Sequence, residues 1–171
     1  IFGSLFDSFF ESLRSPWIVV GTFAVFGLLF IWIERVAKQT ATMADMNWKT
    51  ALGIGLAQVV ALMPGVSRSG ITIVAGMFAG LKREQAARFT FLLSIPVVAG
   101  AAGKKLLDIR HERIPVDERT AMIIGIITSA VVGYAVIKFL LKYLAGHRLN
   151  IFAFYRLGVA GIVALALAFG R

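Results

Sequence analysis

The residues best suited to chemistry lie in one short stretch, LMPGVSRSGIT, at residues 62–72. Arg68 stands between Ser67 and Ser69, and Thr72 follows four residues later. A guanidinium group stays charged and offers a planar fork of donors that fits phosphate oxygens in bidentate fashion. Because three hydroxyls stand close to it in the sequence, these four side chains predict an oxyanion or phosphate site.

Two glycines and a glutamine complete the candidate site as substrate-binding residues. Gly65 and Gly70 let the backbone bend and approach a ligand closely. Gln58 lies six residues before Pro64 and offers a side-chain amide. A helix that begins near Ser69 would point its free N–H groups and the positive end of its dipole at the same ligand.

Each of these side chains also has a purely structural interpretation. Arg68 can cap a helix C-terminus or pair with a buried carboxylate. Ser67 and Ser69 can cap the helix that follows them, Thr72 can hydrogen-bond back to its own helix, and Gln58 can bond between helices. Residue types and spacing alone leave both interpretations open.

The composition places this polar stretch in a membrane protein. Of the 171 residues, 58% are hydrophobic, whereas a soluble domain has about 45–50%. The chain has no cysteine, which excludes disulfides and thiolate metal sites. The net charge of +9 suits anionic lipid headgroups or an anionic substrate. Nucleic acid is a poor candidate partner, because no separate polar domain carries the charge.

The apolar pattern predicts an all-α integral membrane protein, a polytopic helix bundle with a single transmembrane domain over residues 1–171. Residues 50–81 contain only one charged side chain, Arg68, and would form a helix about 48 Å long, too long for a bilayer core of about 30 Å. Pro64 and Gly65 interrupt this segment, so we favour two half-helices around a re-entrant loop; one kinked spanning helix is the alternative. The predicted elements are an interfacial helix (1–14), a span (16–34), the re-entrant hairpin (50–81) and three further spans (84–107, 119–142 and 150–170).

Three segments resemble a known family. QVVALMPGVSRSGIT (58–72) and GLKREQAARFTFLLSIP (80–96) are similar to the second signature region of undecaprenyl-diphosphate phosphatase, the bacitracin-resistance family of bacterial membrane proteins. FAFYRLGVAGIVALAL (152–167) resembles the last helix of that family. The most specific part of the likeness is PG-x-SRSG-x-T joined to A-x-R-F-x-F-L-L-S-x-P at this spacing.

The resemblance implies a multi-pass enzyme of the bacterial inner membrane. It would remove the terminal phosphate of undecaprenyl diphosphate, the lipid carrier of cell-wall precursors, with the help of a divalent cation (Mg2+ or Ca2+). The fold would be an inverted repeat in which each half contributes a re-entrant helix-loop-helix. Ser67, Arg68, Ser69 and Thr72 would belong to the catalytic loop, with Arg68 clamping the diphosphate. The expected partners are a polyprenyl diphosphate and membrane lipids, and a homodimer is left open.

The beginning of the chain departs from the family pattern. The family's first repeat carries a Glu-rich E-x-x-x-E segment and a serine-rich loop ending in Gly-His, and nothing here matches it. Asp7 and Glu11 lie four residues apart and predict one face of an interfacial helix rather than a metal site. Since the chain starts at Ile1 without an initiator methionine, we expect about the C-terminal two-thirds of such a protein.

That expectation limits the predicted activity. The chain would hold one of two active-site halves and no metal ligands, so it would be weakly active or inactive by itself. The alternative function is a membrane transporter or lipid flippase that binds an anion where its helices are broken. A structural or assembly subunit, in which Arg68 is only a helix cap, is a third.

Overall fold

The computed structural model describes residues 15–109 and 116–170, which are almost entirely helical. A 3-10 turn (Met43–Asp45) precedes α2, a 3-10 segment (Gln58–Leu62) extends it, and strands are absent from both ranges. The predicted interfacial helix at 1–14 lies outside the described residues. The helices are α1 (Pro16–Val36), α2 (Trp48–Ala57), α3 (Arg68–Phe78), α4 (Arg83–Ile109), α5 (Val116–Gly146) and α6 (Asn150–Phe169).

Four of these helices are long and apolar enough to cross a membrane, over Pro16–Val36, Arg83–Asp108, Glu118–Gly146 and Asn150–Phe169. In α1, no charged side chain occurs before Glu34 in the last turn, and Pro16 occupies the start of the helix, where its missing N–H is not needed. The predicted all-α, polytopic membrane fold is therefore confirmed.

The interrupted segment forms a helical hairpin. The backbone turns between the 3-10 segment and α3, where Gly65 adopts a φ of +84°. α2 packs against α3, and Ile54 of α2 is buried in the same core cluster as Ile73 and Met77 of α3. A single kinked helix would separate these residues, so the contacts favour the hairpin; its position within a membrane stays a prediction.

Small residues set two close helix contacts. On α1, a Cβ at Gly27 would lie 2.9 Å from Leu157 Cγ, so α1 and α6 pack directly against each other. Between α3 and α4, a Cβ at Gly76 would lie 2.9 Å from the Cβ of Ala86. Both pairs show the close approach that small residues permit in membrane bundles.

A buried ion pair joins the ends of three elements. Arg83 at the start of α4 binds Glu34 of α1 in bidentate fashion, with Nε–Oε1 and Nη2–Oε2 distances of 2.6 Å. The backbone N–H of Leu149, before α6, donates to Oε1 of Glu34 at 2.7 Å. This pair fixes α1, α4 and the turn before α6 relative to one another.

Candidate phosphate-binding site

The turn before α3 presents the start of that helix. The N–H of Gly70 donates to Ser67 Oγ at 3.1 Å, so Ser67 is the N-cap. Arg68 and Ser69 are the first two helical residues, and both are exposed. Their N–H groups have no intrahelical acceptor, because the first turn of any helix lacks one. The N-terminus of α3 therefore offers free backbone donors beside the Arg68 side chain.

Arg68 has no carboxylate partner among the side chains described, those of residues 15–108 and 118–170, where the ion pairs include Arg83–Glu34 and Arg88–Glu84. The structural interpretation of Arg68 as half of a buried ion pair thus finds no support in this part of the chain. A charged guanidinium without an internal partner, at the start of a helix, is suited to bind an external anion.

A small polar cavity of about 70 Å³ adjoins Arg68. Its lining brings together four of the predicted site residues, namely Gln58, Arg68, Ser69 and Thr72. The opposite wall is α4, which adds Thr90 and Ser94 as well as two valines. The Arg68 guanidinium, the Gln58 amide and the Ser69 hydroxyl can donate to the oxygens of a phosphate group. The hydroxyls of Thr72, Thr90 and Ser94 donate within the protein instead.

Thr72 is buried and hydrogen-bonds within its own helix. Its Oγ1 lies 2.9 Å from the carbonyl oxygen of Arg68 and 3.1 Å from that of Ser69. This is the back-bonding arrangement that the sequence left open. Since the hydroxyl hydrogen is directed at the backbone, Thr72 stabilises the first turn of α3 and does not donate to a ligand.

A larger, mainly apolar cavity of about 280 Å³ lies on the other side of the α3 N-terminus. Ser67, Ser69 and Gly70 contribute to its wall, so Ser69 borders both cavities. The remaining lining residues come from α1, α3, α5, α6 and the turn before α6: Phe23, Phe30, Ile73, Leu140, Leu144, Leu149, Phe152, Tyr155 and Arg156. A ligand with a polar head and an apolar tail would match this pair of neighbouring cavities.

The two predicted substrate-binding glycines have packing roles in the structure. At Gly65, a Cβ would collide with the Oγ1 of Thr22, whose hydroxyl donates to the carbonyl oxygen of Pro64 at 2.9 Å. At Gly70, a Cβ would lie 2.7 Å from Cζ of Phe30. Both glycines therefore bring the loop against α1, and their contact with a substrate stays a prediction.

Sequence reasoning missed Arg156 of α6. Its Nη2 donates to the carbonyl oxygen of Gly65 at 2.6 Å, and its guanidinium lies 4.3 Å from the centre of the Phe23 ring. The residue is 7% exposed, and its Nε is buried without a hydrogen-bond partner among the described residues. A lone arginine in an otherwise uncharged apolar helix is a functional candidate by default, and that signal was present in the sequence.

The described residues do not fit a Mg2+ or Ca2+ site. No three His, Cys, Asp or Glu side chains within 15–108 and 118–170 are grouped so that they could hold a metal. These cations take oxygen ligands that include carboxylates, whereas the polar cavity beside Arg68 is lined by hydroxyls and an amide. Asp7 and Glu11 lie outside the described residues. The metal therefore enters no step derived from this chain.

Comparison with known proteins places the chain in a family. The family model described as Bacitracin resistance protein BacA matches residues 1–163. The chain belongs to the BacA family. The loop before α3, the hydroxyls of α4 and Arg156 all lie within the matched residues.

Curated relatives support the same assignment. An undecaprenyl-diphosphatase from Rubrobacter xylanophilus is 44% identical over 168 residues, which are 98% of this chain and 62% of the relative. The undecaprenyl-diphosphatase of Moorella thermoacetica is 42% identical over 95% of this chain and 61% of its own length. That of Elusimicrobium minutum is 43% identical, over 96% and 62% respectively. The chain thus spans less than two-thirds of the length of these relatives.

Proposed function

We propose that the protein containing this chain is a polyprenyl-diphosphate phosphatase of the bacterial inner membrane. It hydrolyses undecaprenyl diphosphate to undecaprenyl phosphate and inorganic phosphate, which recycles the lipid carrier of cell-wall synthesis. Support comes from membership of the BacA family and from the undecaprenyl-diphosphatase relatives. The observation that carries the proposal is the position of Arg68, exposed and without a carboxylate partner among the described residues, at the free N-terminus of α3.

The geometry supports a binding role for the start of α3. The Arg68 guanidinium and the free N–H groups of Arg68 and Ser69 would hold the oxygens of the terminal phosphate. Phosphoryl transfer depends mainly on positioning and on stabilising the charge of the transferred group. Because Arg68 presents a planar fork, it can hold two phosphate oxygens at once and oppose the charge that reaches the leaving oxygen.

The reaction consumes one water molecule. The attacking oxygen forms a bond to the terminal phosphorus, and the bond between that phosphorus and the bridging oxygen breaks. The leaving group is the lipid monophosphate. The Ser69 hydroxyl makes no hydrogen bond with the described residues, and that of Ser67 accepts one from the N–H of Gly70, which leaves its own hydrogen free as well. Ser69 is therefore free to donate to a phosphate oxygen.

The apolar cavity supports a lipid substrate. It adjoins Ser67 and Ser69, and its other walls are mainly aromatic and aliphatic side chains. The first isoprene units of a polyprenyl diphosphate would leave the phosphate site at this point and pass into the cavity. A soluble diphosphate would leave this apolar surface uncovered, so we expect a clear preference for prenylated substrates.

The chain supplies only part of the catalytic machinery in this proposal. It spans about 62% of the length of the Rubrobacter relative, and the described residues contain no group of three carboxylate, histidine or cysteine side chains that could hold a divalent cation. We propose that the carboxylates, and with them Mg2+ or Ca2+, belong to the remaining part of the full-length protein. The chain by itself should therefore bind phosphate but turn over slowly or not at all.

Phosphate release from undecaprenyl diphosphate by the full-length protein in detergent tests the proposal. Hydrolysis in micelles is expected, and it distinguishes a phosphatase from the alternative transporter or flippase, whose activity requires a sealed vesicle. Lipid translocation in proteoliposomes without any phosphate release in micelles would refute the proposal. Full activity of the isolated chain would contradict the proposal that the carboxylates lie in the remaining part of the full-length protein.

A further inference from the structure

Two hydroxyl residues of α4 face the phosphate site, and neither belongs to the predicted set. Thr90 and Ser94 lie one helical turn apart and line the polar cavity opposite Arg68. The close contact between Gly76 and Ala86 sets the distance between the antiparallel helices α3 and α4. One turn from that contact, on each helix, Thr72 and Thr90 meet.

The hydrogen-bond directions between these threonines are determined by their surroundings. Thr72 Oγ1 lies within 3.1 Å of two backbone carbonyl oxygens, which can only accept. The Thr72 hydrogen therefore points to the backbone, and its oxygen accepts from Thr90 Oγ1 at 3.0 Å. A chain of donors runs from Thr90 through Thr72 to the carbonyl oxygens of Arg68 and Ser69.

Both threonines are shielded from solvent. Thr72 is 1% exposed and Thr90 is 5% exposed, so water does not compete effectively for their hydroxyls. Without the donor from Thr90, the Thr72 oxygen would be buried with an unused lone pair. The rotamer of Thr72 that binds the first turn of α3 would then lose one of the three hydrogen-bond contacts that hold it.

We propose that Thr90 is a positioning residue for phosphate binding at the α3 N-terminus. It holds the hydroxyl of Thr72 against the carbonyl groups of Arg68 and Ser69, and so fixes the orientation of the two residues whose side chains and N–H groups face the ligand. Thr90 acts through Thr72 and does not itself donate to the ligand, because its hydrogen is already committed. This inference rests on the proposed function of the same site.

The test uses the full-length protein and substitutions that change one hydroxyl at a time. Thr90→Val keeps the volume of the side chain and removes the donor. Thr90→Ser and Thr90→Ala differ from each other by one oxygen atom, and this pair carries the test if the valine variant does not fold. Thr128→Val makes the same change on an exposed face of α5, away from both cavities, and is the matched control.

Two measurements separate positioning from stability. The first is the dissociation constant for methylenediphosphonate, a diphosphate that resists hydrolysis, together with kcat and KM for undecaprenyl diphosphate. The second is the Tm without ligand. Loss of one hydrogen bond predicts weaker binding by about fivefold in Thr90→Val and Thr90→Ala. Thr90→Ser and Thr128→Val should remain within about twofold of the wild type, which is less than one hydrogen bond.

A double-mutant cycle tests the route through Thr72. If Thr90 acts only through Thr72, Thr72→Val combined with Thr90→Val should bind as weakly as Thr72→Val alone. Additive losses would overturn the proposal. Equal affinities of the Thr90→Ser and Thr90→Ala variants would also overturn it. So would losses of affinity that are fully explained by the fall in Tm across the variants.

The outcome also separates this inference from the proposed function. An active wild type whose Thr90→Val variant binds and turns over normally contradicts only the role of Thr90. A wild type that neither binds the diphosphonate nor releases phosphate contradicts the proposed function, and the inference falls with it.

Discussion

Breaking the buried pair Glu34–Arg83 by removing one partner should strongly destabilise the fold, and Glu34→Gln tests this. The side chains are 3% and 14% exposed, and both guanidinium–carboxylate contacts measure 2.6 Å. Removing one partner of a buried pair costs about 3–5 kcal/mol, because the other charge remains in a poorly solvated place. In a chain of this size, 1 kcal/mol shifts the Tm by about 2–4 °C, so the Tm should fall by roughly 10 °C.

The chain offers a matched control for this substitution. Glu84 pairs with Arg88 at 2.9 Å on the same helix as Arg83, but these side chains are 29% and 53% exposed. An exposed pair contributes at most about 1 kcal/mol, so Glu84→Gln should lower the Tm by no more than about 4 °C. Thermal unfolding in detergent, followed by circular dichroism, measures both variants. Equal shifts for Glu34→Gln and Glu84→Gln would refute the reasoning.

Two further predictions concern the loop anchor and the polar turn before α2. Arg156→Met removes the donor to the Gly65 carbonyl oxygen, which holds the loop before α3 against α6. Loss of this charge-assisted hydrogen bond should lower kcat/KM of the full-length protein at least about tenfold. Unchanged kinetics would contradict this role of Arg156. The backbone N–H and then the hydroxyl of Thr42 hold the pKa of Asp45 below 3.8. The stabilisation from this turn should be complete above pH 3.8 and decline as the pH falls through the folded-state pKa; an NMR titration midpoint at or above 3.8 would contradict it.

The helical architecture could be predicted because it depends on segment length and local residue type. Residues 50–81 are too long for one span and contain Pro64 and Gly65, and these facts suffice to predict a break. The donors of the loop could be predicted for the same reason, since Ser67, Arg68 and Ser69 are adjacent in the sequence. The resemblance to the family then indicated that this loop and the segment at residues 86–96 belong to one signature region.

Contacts between distant residues could not be predicted in the same way. Arg156 and Gly65 are 91 positions apart, and Glu34 and Arg83 are 49 apart, so no local pattern links them. The contact of Thr90 with Thr72 depends on the close packing of α3 on α4 at Gly76. Sequence spacing identifies side chains that can bind a phosphate. The packing of the helices determines which of them face the ligand and which hydrogen-bond to the backbone instead.

The measurement that tests the central claim most directly is phosphate release from undecaprenyl diphosphate by full-length Arg68 variants in detergent. Arg68→Ala should abolish turnover, and Arg68→Lys should impair it strongly, because lysine cannot form the planar fork. Arg88→Ala, which removes an arginine from an exposed pair on α4, should remain active. Wild-type turnover in Arg68→Ala would contradict the assignment of the α3 N-terminus as the phosphate site.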